Sequence, residues 1–78
     1  MRDFYISFEQ QGWGEPVVRV KAETEDEAIL KAAHFLFTMN HDTCVHDTKE
    51  EAFAYAEVAD VPVYDEASGE ELWEDDED

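Results

Sequence analysis

Residues 3–9, Asp-Phe-Tyr-Ile-Ser-Phe-Glu, alternate strictly: Phe4, Ile6 and Phe8 fall on one side, Asp3, Tyr5, Ser7 and Glu9 on the other. A period of two is the mark of a strand with one buried face. Residues 10–16 follow, with Gly12 and Gly14 bracketing Trp13, and predict a hairpin loop. Alternation resumes from Val17 to Glu23, Val18 and Val20 against Arg19 and Lys21, so the first two strands are expected to pair as an antiparallel hairpin.

The period then changes. From Thr24 to Asn40, Ile29, Ala32, Ala33 and Leu36 form a stripe at helical spacing, widened by Leu30 and Phe37. Thr24 is the expected N-cap and Glu27, three residues on, completes a capping box. Glu25, Asp26 and Glu27 occupy the first turn, where the helix dipole favours acids, and Asn40 is the expected stop. Residues 41–47 read as a loop or a short extended piece. Residues 47–60 carry two patterns at once. Asp47 or Thr48 could cap a short helix over 49–58 with Ala52, Phe53, Ala56 and Ala59 inward, while Phe53, Tyr55 and Glu57 also alternate with alanines as a strand would. Alanine content and the cap favour the helix. The remainder predicts a strand, a turn at Ala67–Ser68–Gly69 and a short edge strand, with Pro62 at an edge or a strand start. These elements define an α+β fold: a small three- to four-stranded, mostly antiparallel sheet with one long helix and a second short helix on a face. Residues 1–73 read as a single domain and residues 74–78 as an acidic C-terminal tail.

Size and charge change the picture. A chain of 78 residues buries only roughly 60% of its unfolded surface. Twenty-two acids against five lysines and arginines give a net charge of −17. Self-repulsion on that scale destabilises the compact state and surrounds the molecule with a negative field. Direct binding to nucleic acid or to an anionic membrane draws on clustered Lys and Arg, whereas Arg2, Arg19, Lys21, Lys31 and Lys49 are scattered. The single Cys44 excludes an internal disulfide and suits a reducing compartment. No apolar run approaches the ~20 residues that span a bilayer, and the first residues lack the pattern of a secretion signal. A cytoplasmic protein is expected, or one acting in a host cytoplasm, with a monomer favoured.

Candidate chemistry is sparse. His34, His41, Asp42, Cys44, His46 and Asp47 hold the densest metal-ligand pattern, and His41, Cys44 and His46 could donate three zinc ligands from one loop. A structural zinc site closes with four ligands in two spaced pairs, and no fourth is evident, so no metal or other cofactor is expected. Cys44 and His46 stand two apart, a spacing that seldom aligns a nucleophile with its base. No stretch matches a calcium-binding loop. The chain is expected not to be an enzyme.

What remains is the placement of the acids. They gather at residues 23–27 (Glu23, Glu25, Asp26, Glu27), 47–51 (Asp47, Glu50, Glu51), 57–66 (Glu57, Asp60, Asp65, Glu66) and 70–78 (Glu70, Glu71, then Glu74, Asp75, Asp76 and beyond). Carboxylates three or four apart on a helix lie ~5–6 Å apart and alternate strand residues roughly 6.6 Å apart, a scale comparable with phosphates repeating at ~3.4 Å along one nucleic-acid strand. Leu72 and Trp73 are expected to anchor the root of the tail beside the other acids. In length, acid clusters, single cysteine and α+β pattern without a catalytic motif, the whole chain resembles the small acidic phage-encoded anti-defence proteins, DNA-mimicking anti-CRISPR and antirestriction inhibitors among them. The resemblance is one of kind. Those inhibitors share no motif, so no residue role is carried over. It implies a partner in the form of a basic DNA-binding protein or a CRISPR surveillance complex, and in the narrowest form an inhibitor of target-DNA binding by a type I Cascade complex. Two other classes compete: an acidic solvating, halophilic or regulatory interaction domain, and a small metal-binding domain using the His41–His46 loop.

Overall fold

The computed structural model describes residues 1–10, 13–14, 16–37 and 42–72. In chain order its elements are β1 (Arg2–Gln10), β2 (Trp13–Gly14), β3 (Val17–Ala22), α1 (Glu25–Leu36), β4 (Asp42–His46), α2 (Lys49–Ala59), β5 (Val63–Asp65) and β6 (Glu71–Leu72). The fold is α+β, as the hydrophobic pattern predicts, and the expected hairpin is its centre. Phe4 lies opposite Val20 and Ile6 opposite Val18, so the apolar sides of the two strands coincide. Further along, Glu9 pairs with Gly14, and between the two pairings the returning strand carries one extra residue.

The sheet is larger than the three to four mostly antiparallel strands expected, with six strands among the described residues. β4 pairs antiparallel with the outer side of β1, Ile6 opposite Val45 and Ser7 opposite Cys44. Parallel to β3 runs β5, and β6 closes the far edge antiparallel to β5. Across the sheet the order is therefore β4, β1, β2 with β3, β5, β6, which makes it mixed. Residues 42–46, expected as a loop or short extended piece, are an edge strand. Their side chains alternate too weakly in polarity to announce it, and the pairing with β1 supplies the order.

The helices lie on opposite faces of the sheet, not together on one. α1 covers Phe4, Ile6, Phe8, Val18, Val20 and Ala22, whereas α2 covers Tyr5, Val17 and Val63. Topology explains this. From β3 the chain crosses in one direction to β4, and from β4 it crosses back past β1 and β3 to β5. Parallel crossovers are right-handed almost without exception, and two right-handed crossovers in opposite directions must use opposite faces.

Both helices begin as their sequences dictate. Thr24 and Thr48 are extended N-caps whose hydroxyls accept from the backbone N–H of Glu27 and Glu51 at 3.2 and 3.1 Å. Thr48, not Asp47, caps α2, and the helical reading of residues 49–58 prevails over the strand, the helix running one residue further to Ala59. Glu27 reaches back to the N–H of Glu23 at 3.1 Å, one residue beyond the usual capping-box partner. The ends differ from expectation. α1 stops at Phe37, which takes a left-handed conformation (φ 53°), and Asn40 lies outside the described residues. The turn carries Phe37 away from the core, leaving it 95% exposed, and Leu30 is also exposed. Phe35 takes the inward place instead, packing against the core and within 6.4 Å of the Tyr64 ring. In α2, Ala52 and Ala56 are buried and Phe53 partly so, whereas Ala59 is exposed. Pro62 precedes β5, and its carbonyl accepts from the N–H of Val17 at 2.9 Å. Among the described residues no helix is long and apolar enough to cross a membrane.

Candidate partner-binding surface

Beneath α2 the sheet carries an unexpected polar row. Strand registers place His46, Tyr5, Arg19 and Asp65 side by side across β4, β1, β3 and β5. Arg19 donates to Asp65 Oδ2 at 2.6 Å. Asp65 Oδ1 accepts from the backbone N–H of Ala67 at 3.0 Å, shaping the turn into β6. Burial pulls the Arg19 pKa down, but the hydrogen bond and charge of Asp65, with Tyr5 and Asp3 behind it, leave it raised. Burial also raises the Tyr5 phenol, against the opposing pull of Arg19. At the other end of the row His46 Nε2 lies 3.3 Å from the Oγ of the fully buried Ser7, and its ring sits 4.9 Å from that of Tyr55. Burial lowers the His46 pKa, while Glu51 and Asp47 resist the shift. Among the described residues no buried side-chain nitrogen or oxygen lacks a partner.

This arrangement bears on the metal hypothesis. His46 is engaged with Ser7 and Tyr55, and among the described residues no three His, Cys, Asp or Glu side chains converge as a metal site would require. His41 lies outside the described residues.

The acids expected to meet a partner divide into three groups. Glu23, Glu25, Asp26, Glu27, Asp47, Glu50, Glu51, Glu57, Asp60, Glu70 and Glu71 are exposed. Asp65 and Glu66 are half-buried, and Asp65 is held by Arg19, its side chain 13% exposed. Glu74, Asp75 and Asp76, with Trp73, lie outside the described residues. The exposed acids do not form one continuous cluster by sequence design: Glu25, Asp26 and Glu27 begin α1, while Glu50 and Glu51 begin α2, on opposite faces of the sheet. At both helix starts the dipole stabilises them, so those five fit local structure as well as recognition.

Glu57 and Asp60 have no such excuse. They stand at the C-terminal end of α2, where the dipole disfavours acids, and the last turn contains no basic residue. Asp60 is moreover left-handed, φ 61°. Beside them a cleft of about 500 Å³ opens between α2 and the β5–β6 edge, with Phe53, Val61 and Leu72 among its lining and Glu57, Asp60 and Glu71 around it. The helix placing Phe53 and Glu57 was expected from the sequence, but the approach of β6 to α2 was not, because it depends on the long crossover.

No protein-family model, curated protein or solved structure matches the chain.

Proposed function

We propose that the chain is a protein inhibitor that occupies a basic nucleic-acid-binding surface, presenting carboxylates where that surface meets phosphates. The observation that carries this reading is that four of the five Lys and Arg side chains are engaged locally, Lys49 at the start of α2 being the exception among the described residues. Arg19 is paired with Asp65, Lys21 with Asp3 at 3.0 Å, and Lys31 stands 3.9 Å from Glu27. Arg2 lies over the Phe4 ring, 4.7 Å from its centre. The exposed acids at both helix starts, and those from Glu57 to Glu71, thus far outnumber the cations near them. A partner rich in Lys and Arg would relieve the repulsion that folding has accumulated. In its narrowest form the reading is a phage-encoded anti-CRISPR that blocks target-DNA binding by a type I Cascade complex, acting in the host cytoplasm by binding alone, without catalysis or cofactor.

Competition decides it. Binding to a DNA-binding target should weaken with salt and exclude duplex DNA, since both ligands require the same basic groups. Fixed carboxylates on α2 need little ordering on binding, so Glu50→Lys with Glu51→Lys should lose tenfold or more in affinity and restore DNA binding by the target. A desolvated charged contact of this kind is worth about 2–5 kcal/mol when one partner is removed. Glu25→Lys with Asp26→Lys tests the opposite face. If both double variants bind normally, or DNA and inhibitor occupy the target together, the reading fails.

A further inference from the structure

We propose that the cleft between α2 and the β5–β6 edge receives an arginine-bearing segment of the partner, the aliphatic part of the side chain and an adjacent apolar residue resting on the floor while the guanidinium meets the rim. The proposal rests on the charge-mimic reading only for the basic character of the partner. The cleft itself supplies the rest. Its floor is apolar, with Phe53, Val61 and Leu72 each partly exposed, which leaves hydrophobic surface open to water in a place shaped to be covered. Its rim carries Glu57, Asp60 and Glu71, all exposed. No cation is among the described residues that line it.

These three carboxylates differ from those of Asp3, Glu27 and Asp65. Each of the latter is tied to a Lys or Arg, whereas Glu57, Asp60 and Glu71 have no side-chain hydrogen bond or ion pair among the described residues. Glu57 and Asp60 also violate the local preference of a helix C-terminus, whose partial negative charge adds to theirs. Departures from local preference that remain uncompensated inside the fold mark places where function has set the sequence. A guanidinium answers all of these features together. It neutralises the rim and the helix end, presents a donor fork to carboxylates, stacks over a phenyl ring, and lays its methylene stem along apolar surface. The volume of about 500 Å³ exceeds one side chain and accommodates a short segment.

The test is a titration of the full chain, followed by amide NMR, with the blocked peptide acetyl-Gly-Arg-Leu-Arg-Gly-amide and a control in which Gly replaces Leu. Saturable shifts at Phe53, Val61 and Leu72 are expected, with the control at least fivefold weaker and Glu57→Gln with Glu71→Gln reducing affinity at least fivefold. Equal affinity for the control, or shifts spread evenly over residues 23–27 and 47–51, would overturn the cleft in favour of diffuse charge attraction. A tenfold gain in peptide affinity on Trp73→Ala would make the chain's own Trp73 the occupant and overturn it equally, as would a concentration-dependent dimer that shifts the same amides. Loss of the cleft signal while Glu50→Lys with Glu51→Lys still frees the target would leave the charge-mimic reading standing. Peptide binding at the cleft with no effect of those reversals would do the opposite.

Discussion

On its α1 side the sheet presents Phe4, Ile6, Phe8, Val18 and Val20, none more than 1% exposed, and the helix answers with Ala28 and Ala32 fully buried. On its α2 side the same strands present Tyr5, Ser7 and Arg19, joined by His46 and Asp65, and the buried apolar cluster is smaller: Tyr5, Val17, Val63, Ala52 and Ala56, with Phe53, Tyr55, Val61 and Leu72 only partly buried against it. One face is held by area removed from water, which has no preferred direction. The other combines a smaller apolar cluster with hydrogen bonds and an ion pair, which impose geometry, and has a cleft at one end. The dry face contributes the larger buried apolar area, while the polar face ties β4, β1, β3 and β5 together through specific partners.

The largest effect should follow from opening a hole in the dry face. Phe8→Ala is expected to cost about 3–5 kcal/mol, most of the stability available to a domain of this size. Phe53→Ala, at a partly exposed position on α2 itself, should cost less than half as much. Urea denaturation of both variants measures the asymmetry, and equal losses would erase it.

Next comes the pair that organises the polar face. Asp65→Ala leaves Arg19 without its carboxylate partner and should cost about 1–3 kcal/mol, toward the lower end because about a third of the Arg19 side chain is exposed. Replacing both, Arg19→Met with Asp65→Leu, should recover much of the loss, as apolar substitutes for ion pairs often do. A double-mutant cycle with no coupling would make the pair incidental to the face. The same pair explains why reversing Asp65 is a poor probe of partner binding: the variant would damage the fold before it altered a surface.

The smallest effect is in pH. Burial lowers the folded-state pKa of His46, so the neutral ring is favoured by folding. That stabilisation is present above the ordinary value of ~6.5 and is lost as pH falls through the lowered folded value. The neighbouring carboxylates Asp47 and Glu51 work against the shift and keep it modest. Thermal unfolding of the native chain and of His46→Asn between pH 7.5 and 5 should show the native advantage shrinking on acidification. A difference independent of pH would mean that His46 titrates alike folded and unfolded.

Much of this molecule is legible from the chain because its elements are declared locally. The alternation of Phe4, Ile6 and Phe8, the Thr24 cap of α1, and the turn ending at Gly69 each depend on a few neighbouring residues, and each stands in the structure. The acids, too, are countable from sequence, together with their stabilising position at both helix starts. What the chain could not disclose depends on residues far apart. The edge strand β4 exists because β1 offers it an unpaired side. The helices occupy opposite faces because two crossovers run in opposite directions. Asp65 is withdrawn from the acidic surface by Arg19, 46 residues away, and the buried Ser7 finds its side-chain partner in a histidine 39 residues away. Glu57 and Glu71 meet at one cleft only after α2 and β6 have been brought together, for a contact between distant residues is written in their joint geometry and in no local pattern of either segment.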